Sequence, residues 1–549
     1  MSDQDIRHST MPNGVPSGDG KVKADGAMQY FGLTLDKFLS HAAKWHPDAE
    51  VVTARIDGRL DRIGYAGLFE RARRISALLA GLRVGLSTRV ATLAWNTQAH
   101  LEVWYAVMGV GAACHTLNPR LTAEQSGDML RQSGAEILIV SGDLLPLAER
   151  IVTHAGSVSH ILVIDGVEGV RMKGGPDLAI SALEPPRSRP DMIPWGEFDE
   201  NMPCGLCFTS GTTGAPKGVT YTHRSSYLHT LRLLQADMLG ITREDCILAV
   251  VPMFHASAWG LPFAAPAAGA KLVLPGRQAD GESLAGLIAT EGVTLAVGVP
   301  TVWLRLVEHI ETHGGELPTL KRILVGGAPL PPNLMERLER RLGVTVQTSW
   351  GMTELSPAGT MALPGDAART ASASGPPAIG LDLLLKDVDG RALPEQRNAE
   401  GHLHVRGAAV LERYLGHEDK AADDDGWFST GDLARIDAGG NLIITGRAKD
   451  LIKSGGEWIN PAEIEAVIGA IPEVLLVAVI GRPDDRWGER PLLIVEMRDV
   501  SLNDEALLAP LRGRVAPWWI PDDVIRVAKM PLAPTGKIDR MRLRAEYGR

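Results

Sequence analysis

Apolar residues at Leu35, Phe38, Leu39 and Ala42 recur at helical spacing and stop before Pro47, which predicts a first amphipathic helix. Leu68, Ala72, Ile75 and Leu79 predict a second, and the segment from Leu101 to Met108 reads as another helix. Between these lie short apolar runs at 90–93, 137–140 and 161–164, and the same rhythm resumes at 247–251, 271–274, 295–299 and 323–325. Strands alternating with helices imply a mainly parallel sheet covered on both faces. The texture changes beyond residue 375, where strands shorten and glycine and aspartate increase, as in the hairpin-like piece from Asp437 to Asn441. A second change falls near Gly446. Asn460 followed by Pro461 and Glu463 predicts a capped helix with a capping box. Strands at 474–480, 492–496 and 524–527 and a helix near 504–512 complete a separate α+β unit of about 100 residues.

The predicted fold class is therefore α/β: a large N-terminal domain with doubly wound, mainly parallel sheets and a β-rich subdomain, followed by a small, mobile α+β C-terminal lid. The expected boundaries are a disordered tail at 1–27, the large domain at 28–446, a hinge at 447–450 and the lid at 451–549. No solenoid-type repeat is visible.

Composition narrows the function classes. A chain of 549 residues, 45% hydrophobic and 22% charged, is a soluble globular protein of several structural units. Its net charge of -10 argues against nucleic acid as a partner. Four cysteines are too few for a disulfide scaffold and point to a reducing, cytoplasmic setting; Cys204 and Cys207 form a CxxC with no second pair and are expected as core thiols. No stretch is apolar for the roughly 18 to 20 residues that span a bilayer, so the chain is not expected to be transmembrane. The first 27 residues lack the apolar segment of a secretory signal.

Residues 209–218 read TSGTTGAPKG and carry the first chemistry. Glycines allow close approach of backbone to a ligand, hydroxyls and N–H groups suit anionic oxygens, and Lys217 adds a mobile charge. The apolar Leu206, Cys207 and Phe208 just before it predict that the loop leaves a buried strand. Pro216 before Lys217 and Gly218 after it exclude a Walker A loop, which requires Gly-Lys-Ser/Thr.

Further clusters follow in a fixed order: Gly326-Gly327-Ala328-Pro329; Trp350-Gly351-Met352-Thr353-Glu354; residues 401–407, GHLHVRG; Ser429 to Asp432, STGD; Gly446-Arg447; and residues 534–539, PTGKID. Together with the 209–218 loop, their order and spacing resemble the adenylate-forming superfamily, which includes AMP-forming acyl-CoA synthetases, peptide-synthetase adenylation domains and firefly luciferase. The resemblance spans nearly all of the chain after residue 34. Within acyl-CoA synthetases, the runs VPMFHASAWG and SWGMTELSP are similar to those of ligases for medium-chain and longer fatty acids and for 3-(methylthio)propanoate.

The resemblance implies roles. Thr209, Ser210, Gly211, Thr212, Thr213 and Lys217 match the positions that hold the β- and γ-phosphates of ATP. Thr353 and Glu354 match the residues at the α-phosphate and Mg²⁺, with Thr209 a second metal contact; Mg²⁺ keeps few protein ligands and favours phosphate oxygens. Gly327, Ala328, Pro329, Trp350, Gly351 and Met352 match the nucleotide site, Asp432 the carboxylate on the ribose hydroxyls, and Arg447 a further sugar contact. Lys537 resembles the lid lysine that bridges the substrate carboxylate and the α-phosphate, and with Glu354 and Thr209 forms the expected catalytic set. Lys449 falls at the hinge position, while Ser454, Gly455 and Gly456, with Lys453 beside them, resemble the loop lining the CoA pantetheine tunnel. An exposed basic segment is an equally open reading of Lys453.

For the acid, His255 matches a gate between acyl and CoA channels, although a histidine on an apolar stretch also serves structure. Trp259 resembles a tryptophan at the mouth of an acyl tunnel, and Trp350 replaces a more usual tyrosine, which is expected to reshape the pocket floor. Gly298, Gly326 and Gly327 give acyl group and adenine close access to backbone, or serve packing. The implied function is an AMP-forming acid:CoA ligase that uses a small-molecule carboxylic acid, ATP, Mg²⁺ and CoA, with a medium-chain or thioether acid as substrate. Ligation of an aromatic acid and transfer to a carrier protein are the alternatives, and a homodimer is compatible with the sequence.

Overall fold

The computed structural model describes residues 28–29, 31–166, 178–183, 193–209, 216–366, 369–498, 502–533 and 536–548. The expected tail at 1–27 lies outside them. Among the described residues, two large sheets carry the N-terminal part. One runs from edge to edge as Ala358–Met361, Thr345–Gly351, Arg322–Val325, Leu295–Gly298, Cys246–Ala249, Lys271–Leu274, Glu50–Ala54 and Leu60–Gly64. Its inner neighbours are parallel and its two edge pairs antiparallel. The other runs as Ala179–Ala182, His160–Ile164, Ile137–Ser141, Arg89–Leu93, Ala113–Thr116, Pro203–Phe208 and Gly218–Thr222, parallel except for the last pair. The continuous apolar runs in the sequence are the strands covered on both faces, such as Ile137–Ser141, which is buried throughout.

Between the sheets lies the helix Gln98–Gly109, buried from His100 to Gly109. Such a helix has no solvent face, which explains its weak amphipathic pattern. It packs on the helix Leu261–Ala268: Trp104 stacks on Phe263 with centroids 5.9 Å apart, and the Tyr105 hydroxyl donates to the Pro262 carbonyl at 3.0 Å. Both ring nitrogens of its buried His100 are satisfied. His100 Nε2 accepts the Trp104 indole N–H at 3.0 Å, so Nδ1 carries the proton and donates to the Trp95 carbonyl, also at 3.0 Å. Burial holds that imidazole neutral, with its pKa pushed down to about 4.

The texture change after residue 375 corresponds to a four-stranded antiparallel sheet, Leu381–Lys386, Ala399–Gly407, Phe428–Ile436 and Leu442–Arg447, but its strands of six to nine residues are longer, not shorter, than the mostly four- and five-residue strands before it. The Asp437 carboxylate closes its last hairpin by accepting the Asn441 N–H at 2.8 Å. The following unit is built on the hairpin Val474–Asp484 and Gly488–Met497, joined by Ile452–Ser454, Glu457–Ile459 and the parallel strand Asp523–Val527.

Local expectations are corrected at three places. Asn460 caps the helix Pro461–Ile468 through the Ala462 N–H, but there is no reciprocal box: Glu463 Oε1 accepts from the Asn460 side chain instead of its backbone. The helix expected over 504–512 is α-helical only over Asp504–Leu508 and tightens to a 3₁₀ turn at Ala509–Leu511, because Pro510 has no N–H to continue the ladder. The run at 247–251 stops as a strand at Ala249. There the buried Asn96 intervenes, donating to the carbonyls of Ala249 and Val251 at 3.0 and 2.9 Å and accepting the Met253 N–H at 2.8 Å. No helix among the described residues is long and apolar enough to cross a membrane, and Cys114, Cys204, Cys207 and Cys246 are all free and buried.

Asn96 thus fixes the exit of a central strand. Asn96→Ala leaves three backbone groups without their partner and is expected to cost about 2–4 kcal/mol, measured as a lowered urea midpoint with unchanged slope.

Candidate active site

Pro203–Phe208 and Gly218–Thr222 pair antiparallel with Phe208 opposite Gly218, so the glycine-rich stretch is the connection of a hairpin leaving a buried strand. Its ends are tied by the Thr209 N–H, which donates to the Lys217 carbonyl at 2.9 Å. Ser210, Gly211, Thr212 and Thr213 lie outside the described residues. The Lys217 ammonium sits 4.9 Å from the centre of the Tyr414 ring, and the Tyr414 hydroxyl donates to Glu354 Oε1 at 2.9 Å. Burial, then the Glu354 charge, pushes the Tyr414 hydroxyl well above its usual pKa, so it stays a donor. Tyr414 therefore links the loop lysine to the carboxylate, and no motif in the sequence had marked it.

Glu354 lies on the buried 3₁₀ turn Thr353–Leu355, directly after Gly351 and Met352. The turn is held from two sides: the Tyr221 hydroxyl donates to the Thr353 carbonyl at 2.9 Å, and the Leu411 N–H donates to that of Glu354 at 2.8 Å.

Asp432 and Arg447 face each other across Phe428–Ile436 and Leu442–Arg447. The Asp432 side chain is 1% exposed; its Oδ2 accepts the Trp350 indole N–H at 3.0 Å, and Arg447 Nε lies 2.6 Å from its Oδ1. That ion pair is outside hydrogen-bond geometry, so Oδ1 has no hydrogen-bond donor among the described residues. Burial raises the Asp432 pKa, opposed by Arg447, the Trp350 donor, Lys537 and Lys449. Trp350 thus belongs to the Asp432 contact and packs against Gly359, where a Cβ would lie 2.7 Å from Cζ3.

Lys537 enters this group from the C-terminal unit. Desolvation, then the neighbouring Arg447 charge, pushes its pKa down to about 8, while Asp432 and Glu354 pull it upward. The loop before it is seated on the large domain, since the Thr301 hydroxyl donates to the Gly536 carbonyl at 3.2 Å. A Cβ built on Gly327 would lie 3.7 Å from Lys537 Cε and 3.5 Å from Trp259 Cζ2, so lysine and tryptophan flank one glycine. Ala328 and Pro329 follow on the same loop and are half-buried and exposed.

Trp259 also covers Gly326, where a Cβ would meet Cη2 at 3.0 Å. Gly298 instead backs onto Trp303. Trp259 is carried by a segment no pattern announced: Ala256, Ser257, Ala258, Trp259 and Gly260 all have positive φ, at 43°, 53°, 46°, 53° and 80°. This is a left-handed turn, and each of its non-glycine residues costs roughly 1–2 kcal/mol. His255 precedes it; burial, then the Lys537 charge, pushes its pKa down to about 4, leaving it neutral.

Lys449 sits on the 3₁₀ turn Ala448–Asp450, its pKa lowered by burial and by Arg447, Arg544 and Arg540. Ser454, Gly455 and Gly456 form the tip of a hairpin whose partners belong to its own unit: Ser454 accepts from Arg490 at 3.3 Å, and Gly455 backs onto Trp487. Lys453 lies over the Trp458 ring at 5.5 Å.

Residues 39–415 match the family model described as AMP-binding enzyme, and residues 463–537 match the AMP-binding enzyme C-terminal domain. The chain belongs to the AMP-binding enzyme family. This AMP-binding enzyme is 39% identical to the 3-methylmercaptopropionyl-CoA ligase of Ruegeria pomeroyi over 95% of its own length and 98% of that protein. It is also 39% identical to the medium-chain-fatty-acid–CoA ligase of Ectopseudomonas oleovorans, over 95% and 97% of the two chains. Its fold matches the crystal structure of the anthranilate CoA ligase AuaEII in complex with anthranoyl-AMP, with a TM-score of 0.83, 24% identity, and coverage of 95% and 98%.

With Asp432 as the proposed ribose carboxylate, removing its indole donor is expected to weaken AMP binding. Trp350→Phe should raise the AMP dissociation constant about tenfold by calorimetry. The Asp432 pKa already lies above the ordinary aspartate value, so the carboxylate is lost as pH falls through that raised value. Without the indole it rises further, and acid weakening of AMP binding should begin at higher pH in the variant.

Proposed function

We propose that this AMP-forming acyl-CoA ligase activates a medium-chain or thioether alkanoic acid, of the type of 3-(methylthio)propanoate, with Lys537 joining the two reacting anions. The observation that carries this reading is the desolvated Lys537 ammonium beside Asp432, Arg447 and Glu354 and against the glycine that Trp259 covers. End-to-end similarity to ligases named for a methylthio acid and for medium-chain fatty acids supports the substrate class.

In the first step a carboxylate oxygen of the acid attacks the α-phosphorus of ATP, and the bond to pyrophosphate breaks. Two anions must approach, and a preorganised cation between them lowers that barrier. Lys537 is the cation; His255, being neutral, does not compete with it. Lys217, at the end of the glycine-rich loop, steadies the departing pyrophosphate. Asp432 Oδ1, buried without a hydrogen-bond donor, accepts a ribose hydroxyl. Glu354 and Thr209 supply the oxygen donors that suit Mg²⁺ and would hold it, where it would neutralise phosphate charge. In the second step the CoA sulfur attacks the acyl carbonyl and AMP departs, with residues 447–450 as hinge and Ser454, Gly455 and Gly456 at the pantetheine. Four buried free cysteines support a cytoplasmic enzyme.

CoA-dependent AMP formation across short, medium, thioether and arylalkanoic acids tests the substrate; the highest kcat/KM should fall among medium or thioether acids. Lys537→Ala should lower ATP–pyrophosphate exchange by about 10²–10³-fold or more. Thioester formation from supplied acyl-adenylate should stay near wild type, and equal loss of both steps would contradict the assignment. The pH dependence has a definite sign. A lysine pKa of about 8 leaves the ammonium in place below that pH, so kcat/KM for adenylation should fall as pH rises through it. Lys537→Arg should move that limb beyond the measurable range.

A further inference from the structure

The left-handed turn Ala256–Gly260 is strained yet well defined, so its surroundings must impose it. Two buried side chains outside the reacting group reach it, one at each end. At its start, the Ala256 N–H donates to Cys207 Sγ at 3.3 Å. Cys207 belongs to Pro203–Phe208, the strand that runs directly into the glycine-rich loop, and burial keeps its thiol protonated. At its end, Gly260 abuts the ring of His229, which is 1% exposed: a Cβ there would lie 2.7 Å from both Cε1 and Nδ1. His229 Nε2 in turn accepts the Ala358 N–H at 3.2 Å, so the ring is braced against the chain that follows the Glu354 turn.

We propose that Cys207 and His229 are positioning residues for the acid: they clamp the left-handed turn Ala256–Gly260 and thereby hold Trp259 against Gly326, fixing the depth of the acyl pocket. The inference rests on the proposed ligase function and on Trp259 lining the acid site, as its resemblance to a tryptophan at the mouth of an acyl tunnel implies. Neither clamp residue touches the reacting atoms. Both connect the turn to nucleotide-side elements, Cys207 through the strand entering the phosphate loop and His229 through the segment after Glu354. Losing a clamp allows the turn to relax toward ordinary backbone, which swings Trp259 away from the glycine pair and changes which acids fit.

The test uses the full-length chain with Cys207→Ala, Cys207→Ser and His229→Leu, assayed by ATP–pyrophosphate exchange across the acid panel and by AMP binding. Cys207→Ala and His229→Leu should raise KM for the preferred acid about fivefold or more and shift the preferred chain length, with the AMP dissociation constant changed by less than about twofold. Cys207→Ser, which keeps an acceptor, should recover part of the loss. Ser257→Gly should supply an independent rescue, because glycine adopts φ of 53° freely; added to Cys207→Ala it should return KM toward the value of Ser257→Gly alone. An unchanged acid KM in Cys207→Ala, an equal change in acid KM and AMP affinity, or no rescue by Ser257→Gly would overturn the proposal. Should His229→Leu not fold, the cysteine series decides alone. If the wild-type chain turns over no acid, the failure belongs to the substrate reading and melting decides the clamp. In that case the Tm change from Ser257→Gly differs between the wild-type and Cys207→Ala backgrounds if Cys207 clamps the turn, and is the same in both if it does not.

Discussion

A carboxylate that is 1% exposed has to be compensated, and the arrangement around Asp432 follows from that requirement. Arg447 faces it from the neighbouring strand, Trp350 donates to it from the last parallel strand of the large sheet, and Lys449 and Lys537 add positive charge from the chain beyond. These partners come from two sheets, a 3₁₀ turn and a loop of the C-terminal unit. The charge balance is therefore complete only when the large domain, the antiparallel sheet and the C-terminal unit are assembled together. One oxygen is still left without a hydrogen-bond donor, a gap that a ribose hydroxyl suits. The same proximity leaves Lys537 poorly solvated and close to losing its proton near pH 8, so its charge strengthens when an anion arrives.

The second constraint is steric. Gly326 and Gly327 leave room for Trp259 and Lys537 to approach the same stretch of backbone, where acid and α-phosphate are proposed to meet. Trp259 reaches that position only because five successive residues take left-handed backbone. The neutral His255 at the start of this turn keeps a second cation away from Lys537. In the proposed mechanism, electrostatics thus set the nucleotide side and the strained turn the acyl side.

Much of this was legible in the sequence. The apolar runs became parallel strands, and the shift in texture near residue 375 became an antiparallel sheet, because strand burial and turn composition leave direct marks. Asp432, Glu354 and Lys537 were legible only jointly, since each is an unremarkable charge in a loop or strand and gains meaning from order along the chain. Tyr414 was not legible: its link between Lys217 and Glu354 depends on a fold that joins residues nearly two hundred positions apart. The left-handed turn was hidden for a different reason, as Ala256, Ser257 and Ala258 carry no positive-φ preference and tertiary contacts override local propensity. Trp350 looked like a change in the acyl pocket floor, whereas its indole N–H answers the buried Asp432. The Asn460 cap was legible and its reciprocal box was not, because the Glu463 rotamer is decided by the Asn460 amide.

In the proposed mechanism the C-terminal unit serves adenylation in the orientation seen here and turns away from it for thioester formation. Glu308 on the large domain and Arg498 on the C-terminal unit approach to 3.8 Å in that orientation, and the native cysteines are buried. The most direct measurement joins Glu308→Cys and Arg498→Cys with a cleavable bis-maleimide and follows both half-reactions. The expected result is about one equivalent of acyl-adenylate per linked chain, no CoA thioester, and recovery of turnover when the linker is cut. Undiminished steady-state thioester formation by the linked chain would contradict the account.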